Sequence, residues 1–195
     1  DRERFSPRDR AMCRRELGLA EDQKLVLYVG NLKQDKGVMD LLQAVAPLCR
    51  AHGVNAFFIG DGPAREELES QIVARGMTTQ VRVLGRMPHD RVPLWMNAVD
   101  VLCLPSHHEG IPNVVLEATA CGLPVVATAV GGLPEVVTPA NGRLVPAHDT
   151  HALQAALRDS IERTWDRDAV RAALIVDSWD DNANRIIRIL DGATC

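Results

Sequence analysis

Six short apolar runs, each bounded by Gly, Pro or Asp, recur between residues 24 and 146: KLVLYVG (24–30), NAFFIG (55–60), VRVLG (81–85), DVLCLP (100–105), LPVVAT (123–128) and GRLVP (142–146). Runs of this length without polar alternation read as strands buried on both faces. Between them lie segments with apolar residues at helical spacing, 37–51, 63–75, 90–98 and 112–120. Strand alternating with helix predicts an α/β fold with a parallel six-stranded sheet, because each helix is the crossover that brings the chain back to the same end of the sheet. The helices then cover both faces. Past Pro146 the strands stop and helical segments follow at 149–163, 168 to about 176, and 179–190, the last placing Trp179, Ile186, Ile187 and Leu190 on one stripe. No internal repeat or low-complexity segment interrupts this order.

At 195 residues the chain is long enough for one domain or one half of a two-lobed protein. Residues 1–23, opening with DRERFSPRDR, read as a linker and a short helix, 24–178 as the sheet domain, and 179–195 as a separate C-terminal helix. A first residue that is not Met, followed by this charged stretch, leads us to expect a piece of a longer chain. The net charge of −4 and pI near 5.9 argue against nucleic acid or an anionic membrane as the main partner. Five cysteines (13, 49, 103, 121 and 195) form no C-x-x-C pair, and Cys103 and Cys121 sit in apolar runs, so a reduced, cytoplasmic setting is expected. Residues 118–134 carry no charge, but Gly122, Pro124, Gly131, Gly132 and Pro134 break them into helix, turn, buried strand and turn. That stretch is not read as a membrane span.

In open α/β sheets the ligand crevice lies beyond the carboxyl ends of the strands, so the loops at 30–37, 60–63, 85–89, 105–112 and 128–135 carry the functional reading. GNLKQDKG (30–37) lacks the Gly-Lys-Ser/Thr ending of a Walker loop, since Lys36 precedes Gly37. A helix start preceded by Lys33 and Lys36 still suits an anion; the competing reading is a turn with two solvated lysines. GDGP (60–63) fails as a dinucleotide fingerprint because Arg65 stands where the third Gly is needed, which leaves a tight turn before a Pro-initiated helix. DRD at 166–168 lies among the late helices and is read as chance.

The most informative stretch is HHEGIPNVVLEATACGLPVVATAVGG (107–132), in which Glu109 and Glu117 stand eight positions apart around a Gly-Ile-Pro-Asn turn. With Pro112 at the first helical position, Glu117 falls just over one turn along, and both carboxylates can face one cleft. Carboxylates repel phosphate but accept hydrogen bonds from hydroxyls, while the amides of Gly110, Ile111 and Asn113 suit an oxygen-rich group. A polyol carrying an anion fits that mixture. The alternative is a capping Glu109 and an exposed Glu117. His107-His108-Glu109 lacks helical ligand spacing and a clear third ligand, His148 and His151 read as surface residues, and no metal site is expected.

Taken together, LYVGNLKQDKG, FIGDGP, VLGRMP, LPSHHEGIPNVVLEATACGLPVVATAVGGLPEVV, NGRLVPAHD and SWDDNANRIIRIL resemble the C-terminal half of a group 1, family 4 glycosyltransferase over nearly the whole chain. The resemblance implies a GT-B architecture, two Rossmann-like lobes around a cleft, with this chain as the lobe that holds the nucleotide sugar. It implies that Glu109 contacts the transferred sugar, that Gly110, Ile111, Pro112 and Asn113 contribute amides or contacts, and that Glu117 binds the ribose hydroxyls. Lys36 would neutralise the diphosphate alongside Gly30 and Asn31, and the backbone of Gly85, Arg86 and Met87 would meet the base. Residues 132–135 would line the cleft. Glu109 and Lys36 would be the catalytic pair.

Asn31 departs from the family pattern, where an Arg is common; an amide adds no charge, so Lys36 would carry more of the electrostatic work, with Lys33 as a candidate compensator. Similar enzymes are retaining transferases that use no metal or other cofactor. The implied partners are a UDP-, GDP- or ADP-linked sugar and an N-terminal acceptor lobe that no segment here supplies. Membrane contact would be peripheral and made only through the parent enzyme, and the acceptor would be a glycolipid or growing polysaccharide. The 179–195 helix resembles one that packs across to the other lobe. A stand-alone nucleotide-sugar-binding module is the alternative, and the E-x7-E context speaks against an epimerase or phosphorylase.

Overall fold

The computed structural model describes residues 3–174. The segment 179–195, expected as a C-terminal helix, lies outside the described residues, as do the last four positions of the expected sheet domain. Six strands form one sheet: β1 (Lys24–Val29), β2 (Val54–Ile59), β3 (Val81–Gly85), β4 (Val101–Leu104), β5 (Val125–Thr128) and β6 (Gly142–Val145). Their order is β3-β2-β1-β4-β5-β6 and every pairing is parallel. β4 and β5 are buried along their whole length, as strands covered on both faces must be.

The helices are α1 (Arg10–Leu17), α2 (Val38–His52), α3 (Arg65–Ala74), α4 (Val92–Ala98), α5 (Asn113–Ala120), α6 (Leu133–Val136), α7 (Thr150–Glu162) and α8 (Arg167–Ala172), with a 3-10 turn at Gln34–Lys36 ahead of α2. Several helices start within two residues of the sequence expectation, α4 at Val92 rather than Asp90 among them, and two of these shifts have a local cause. α3 begins at Arg65 rather than Pro63, since Gly62 and Pro63 are still engaged in the turn that donates Ala64 N–H to the Leu32 carbonyl. Pro112 is the extended residue before α5 and not its first helical position. The uncharged stretch 118–134 resolves into the end of α5, the buried β5 and the short α6; among the described residues no helix is long and apolar enough to cross a membrane.

The segment read as a linker and short helix is packed into the body. Phe5 and Cys13 are buried, and Arg14, 1% exposed, donates to the carbonyls of Ala98, Ala20 and Glu21 and to Asp100. Asp100 in turn accepts from Leu25 N–H at the start of β1 and pairs with Arg10. DRD at 166–168 also has a structural role: the Asp166 carboxylate caps α8 by accepting from the amides of Asp168 and Ala169. Arg167 reaches back to Asn97 and the Cys121 carbonyl.

Candidate functional site

β1 is paired with β2 on one side and β4 on the other, so the chain direction across the sheet reverses there. At such a switch point the loops leaving two neighbouring strands turn to opposite faces and open a crevice between them. The loops concerned are 30–37, after β1, and 105–112, after β4. They bring Lys36 to Glu109: the Lys36 ammonium donates to Glu109 Oε1 at 2.8 Å and to the His108 carbonyl at 3.4 Å. Ser106 Oγ donates to the same Glu109 oxygen at 2.8 Å. The Glu109 side chain is only 11% exposed, so this pairing offsets the cost of removing its charge from water.

Two glycines set how closely these loops pack. Gly37 has φ +66°, and a Cβ there would lie 2.0 Å from the Pro105 carbonyl oxygen; Gly131 has φ +54°, and its Cβ would lie 1.7 Å from the Glu109 carbonyl oxygen. Each position requires both a left-handed backbone and the absence of a side chain. The Asp35 carbonyl also accepts from His107 N–H, and Gly132 N–H donates to the Gly110 carbonyl, so the β4–α5 loop is laced to its neighbours on both sides. Burial pushes the Tyr28 phenol well above its ordinary pKa, and the negative charges of Glu109 and Asp35 push it further; the neutral hydroxyl donates to the Asn31 carbonyl.

Glu117 lies on α5, a helix start that no side chain caps. Its carboxylate meets His89, Nε2 to Oε1 3.1 Å, and the His89 ring also packs edge-on against Phe5 and contacts Arg4 through Nδ1. Neither contact was legible in the sequence. Of the other expected site residues, Gly30 and Gly85 are held by sheet-end bonds, Gly30 N–H to the Ile59 carbonyl and Gly60 N–H to the Gly85 carbonyl. Arg86 is exposed with Asp61 nearby, Met87 is half-buried, Ile111 is 50% exposed, and Asn31, Lys33, Gly110, Asn113 and Glu135 are exposed.

Three residues that the sequence left apart come together beside this crevice. His107 Nε2 lies 2.8 Å from Asp40 Oδ2 in the first turn of α2, and its ring packs against that of His148, tilted by 43° with centroids 3.9 Å apart. His148 follows β6 and is the non-glycine residue with positive φ (+63°) among the described residues. Both partners are distant in sequence from His107, so spacing could not announce them. Ser106, three residues before Glu109, was the missed residue with a local signal.

An all-parallel sheet in this order, with a lysine and a glutamate brought together from the loops beyond its strand ends, defines a Rossmann-like α/β lobe with a polar ligand crevice. Residues 9–191 match the glycosyl transferases of group 1, and the chain belongs to that family. It is 38% identical over 153 residues to 2-deoxystreptamine N-acetyl-D-glucosaminyltransferase from Streptomyces fradiae, a match that covers 75% of this chain and 36% of that protein. Among solved structures, Anabaena Alr3699/HepE in complex with UDP superposes with TM-score 0.76 and 30% identity over 89% of this chain and 48% of that one. The C-terminal domain of the Francisella tularensis group 1 protein LpcC shares the fold, with TM-score 0.74 and 23% identity over 88% of this chain and 90% of that domain. The chain thus spans about half or less of the longer relatives it matches and corresponds to the C-terminal lobe of a GT-B architecture.

Proposed function

We propose that this chain is the donor-binding lobe of a retaining glycosyltransferase that moves a sugar from a nucleoside diphosphate to a hydroxyl acceptor. The observation that carries the reading is the Lys36–Glu109 pair, assembled from the loops after β1 and β4 at the switch point of the sheet. A relative at 30% identity has been solved with UDP and with UDP-glucose, which supports a nucleotide sugar as the ligand.

In this reading the diphosphate lies between Lys36 and the start of α5. As the bond from the anomeric carbon to the phosphate oxygen breaks, its electron pair leaves with the diphosphate. The Lys36 ammonium and the amides leading into α5 stabilise that charge, and preorganised donors cost no reorganisation at the moment of reaction. Glu109, aligned by Ser106 and Lys36, accepts from a hydroxyl of the transferred sugar. Glu117 exchanges His89 for the ribose hydroxyls. The acceptor hydroxyl, presented by the other lobe, attacks from the face the leaving group vacates, and its proton passes to the departing phosphate oxygen. No step calls for a metal, and glycolipid or polysaccharide assembly in the cytoplasm is the expected setting.

Calorimetric titration with UDP, GDP, ADP and UDP-glucose tests this. Saturable binding of one nucleotide, weakened about tenfold or more by both Lys36→Ala and Glu117→Ala, is expected, since each removes a charge-assisted hydrogen bond worth about 1.5–3 kcal/mol. Binding of none of the four, or binding indifferent to both substitutions, removes the basis for the proposal.

A further inference from the structure

We propose that Asp40, His107 and His148 form a binding site for a divalent transition metal of the zinc class, independent of the nucleotide. One ligand atom from each residue lies within 4.8 Å of the others, and His107 Nε2 and Asp40 Oδ2 are already 2.8 Å apart. Zinc with bonds near 2.0–2.1 Å holds tetrahedral ligands about 3.4 Å from one another, so closure around an ion needs side-chain adjustments and no movement of the sheet. Two imidazoles and one carboxylate match borderline cations; the hard oxygen shell that magnesium or calcium requires is missing from the set. The fourth position falls to water, as in sites with three protein ligands.

The three residues come from three separate elements, the first turn of α2, the β4–α5 loop and the β6–α7 connection. Asp40 and His107 are partly shielded, with side chains 25% and 19% exposed, so an ion there is neither freely solvated nor sealed in. The metal would tie the first turn of α2, directly after the Lys36 loop, to the loop that carries Glu109 and to the connection after β6, next to the existing bond from the His107 amide to the Asp35 carbonyl. It therefore fastens the wall of the crevice and takes no part in transfer.

The test is titration of the 195-residue chain with Zn2+, and with Co2+ as a coloured substitute, in metal-free buffer. One ion per chain is expected, with the intense visible d–d absorption of four-coordinate cobalt and a rise in Tm on adding Zn2+. His107→Gln, His148→Gln and Asp40→Asn should each weaken Zn2+ binding at least tenfold, while His151→Gln leaves it within twofold. Circular dichroism checks that the variants remain folded, and Asp40→Asn, which preserves shape, serves if a histidine variant does not. Failure of the native chain to bind Zn2+ saturably overturns the proposal, and so does binding that Asp40→Asn and the folded histidine variants leave within twofold. Neither result bears on nucleotide binding.

Discussion

Glu109 takes two donors on one oxygen, from Ser106 and Lys36, while its own carbonyl rests against Gly131. The position of this carboxylate therefore depends on a residue with no side chain. Gly131→Ala places a Cβ 1.7 Å from that carbonyl at φ +54°, whereas Gly18→Ala, at φ +68°, meets nothing within 4 Å. Gly18→Ala should cost only the backbone strain, about 1 kcal/mol, and Gly131→Ala about 3 kcal/mol or more with weakened nucleotide binding. Urea denaturation of the two variants, with calorimetry on the second, separates conformational strain from displacement of the loop. Within the E-x7-E stretch, sequence spacing already implied that Glu109 and Glu117 could share a face. It was silent on Lys36 meeting Glu109 and on His89 meeting Glu117, because these partners come from other crossovers.

At the scale of elements, α1 is joined to the sheet domain by two kinds of ion pair. Arg14 is 1% exposed and binds three carbonyls and Asp100, whereas Arg91 and Glu16, 2.7 Å apart, are half in solvent. Arg14→Ala strips a donor from several shielded acceptors at once and should lower stability by about 3 kcal/mol. Arg91→Ala breaks an exposed pair and should cost less than about 1 kcal/mol. Urea melts monitored by far-ultraviolet circular dichroism measure both. The contrast also explains why residues 1–23 read as a linker: in sequence a buried arginine looks the same as a solvated one, and charged residues are so rarely buried that the surface reading is favoured.

For the molecule as a whole, burial of the thiols ties stability to alkaline pH. Burial pushes the Cys49 thiol up to about 11 and the Cys121 thiol up to about 12, from 9.0. Below pH 9 both thiols are neutral in folded and unfolded chains alike, so they make no difference. Between pH 9 and about 12 the unfolded chain loses these protons before the folded one, which favours unfolding. Stability should therefore fall progressively as pH rises above 9, and Cys49→Ala should reduce the slope in that window. Urea midpoints taken from pH 7 to pH 11 on both proteins check this. The four described cysteines are free and buried, so thiol reagents at neutral pH should react with them only after unfolding.

By itself the sequence determined the order of the strands and of the longer helices, the six strands to within two residues, the placement of the candidate loops at their carboxyl ends and the family, though it read the short α6 as a turn. These follow from local apolar periodicity, from Gly and Pro at turns, and from motifs contained in single loops. Only the tertiary structure decided which loops meet. The order β3-β2-β1-β4-β5-β6 makes β1 and β4 neighbours across 75 residues, from Leu25 N–H to the Asp100 carboxylate, and so brings Lys36 to Glu109. The same packing gathers Asp40 and His107 from two crossovers and His148 from the segment after the last strand. Local spacing specifies what a segment can become; which segments touch is set by burying all of their apolar faces together.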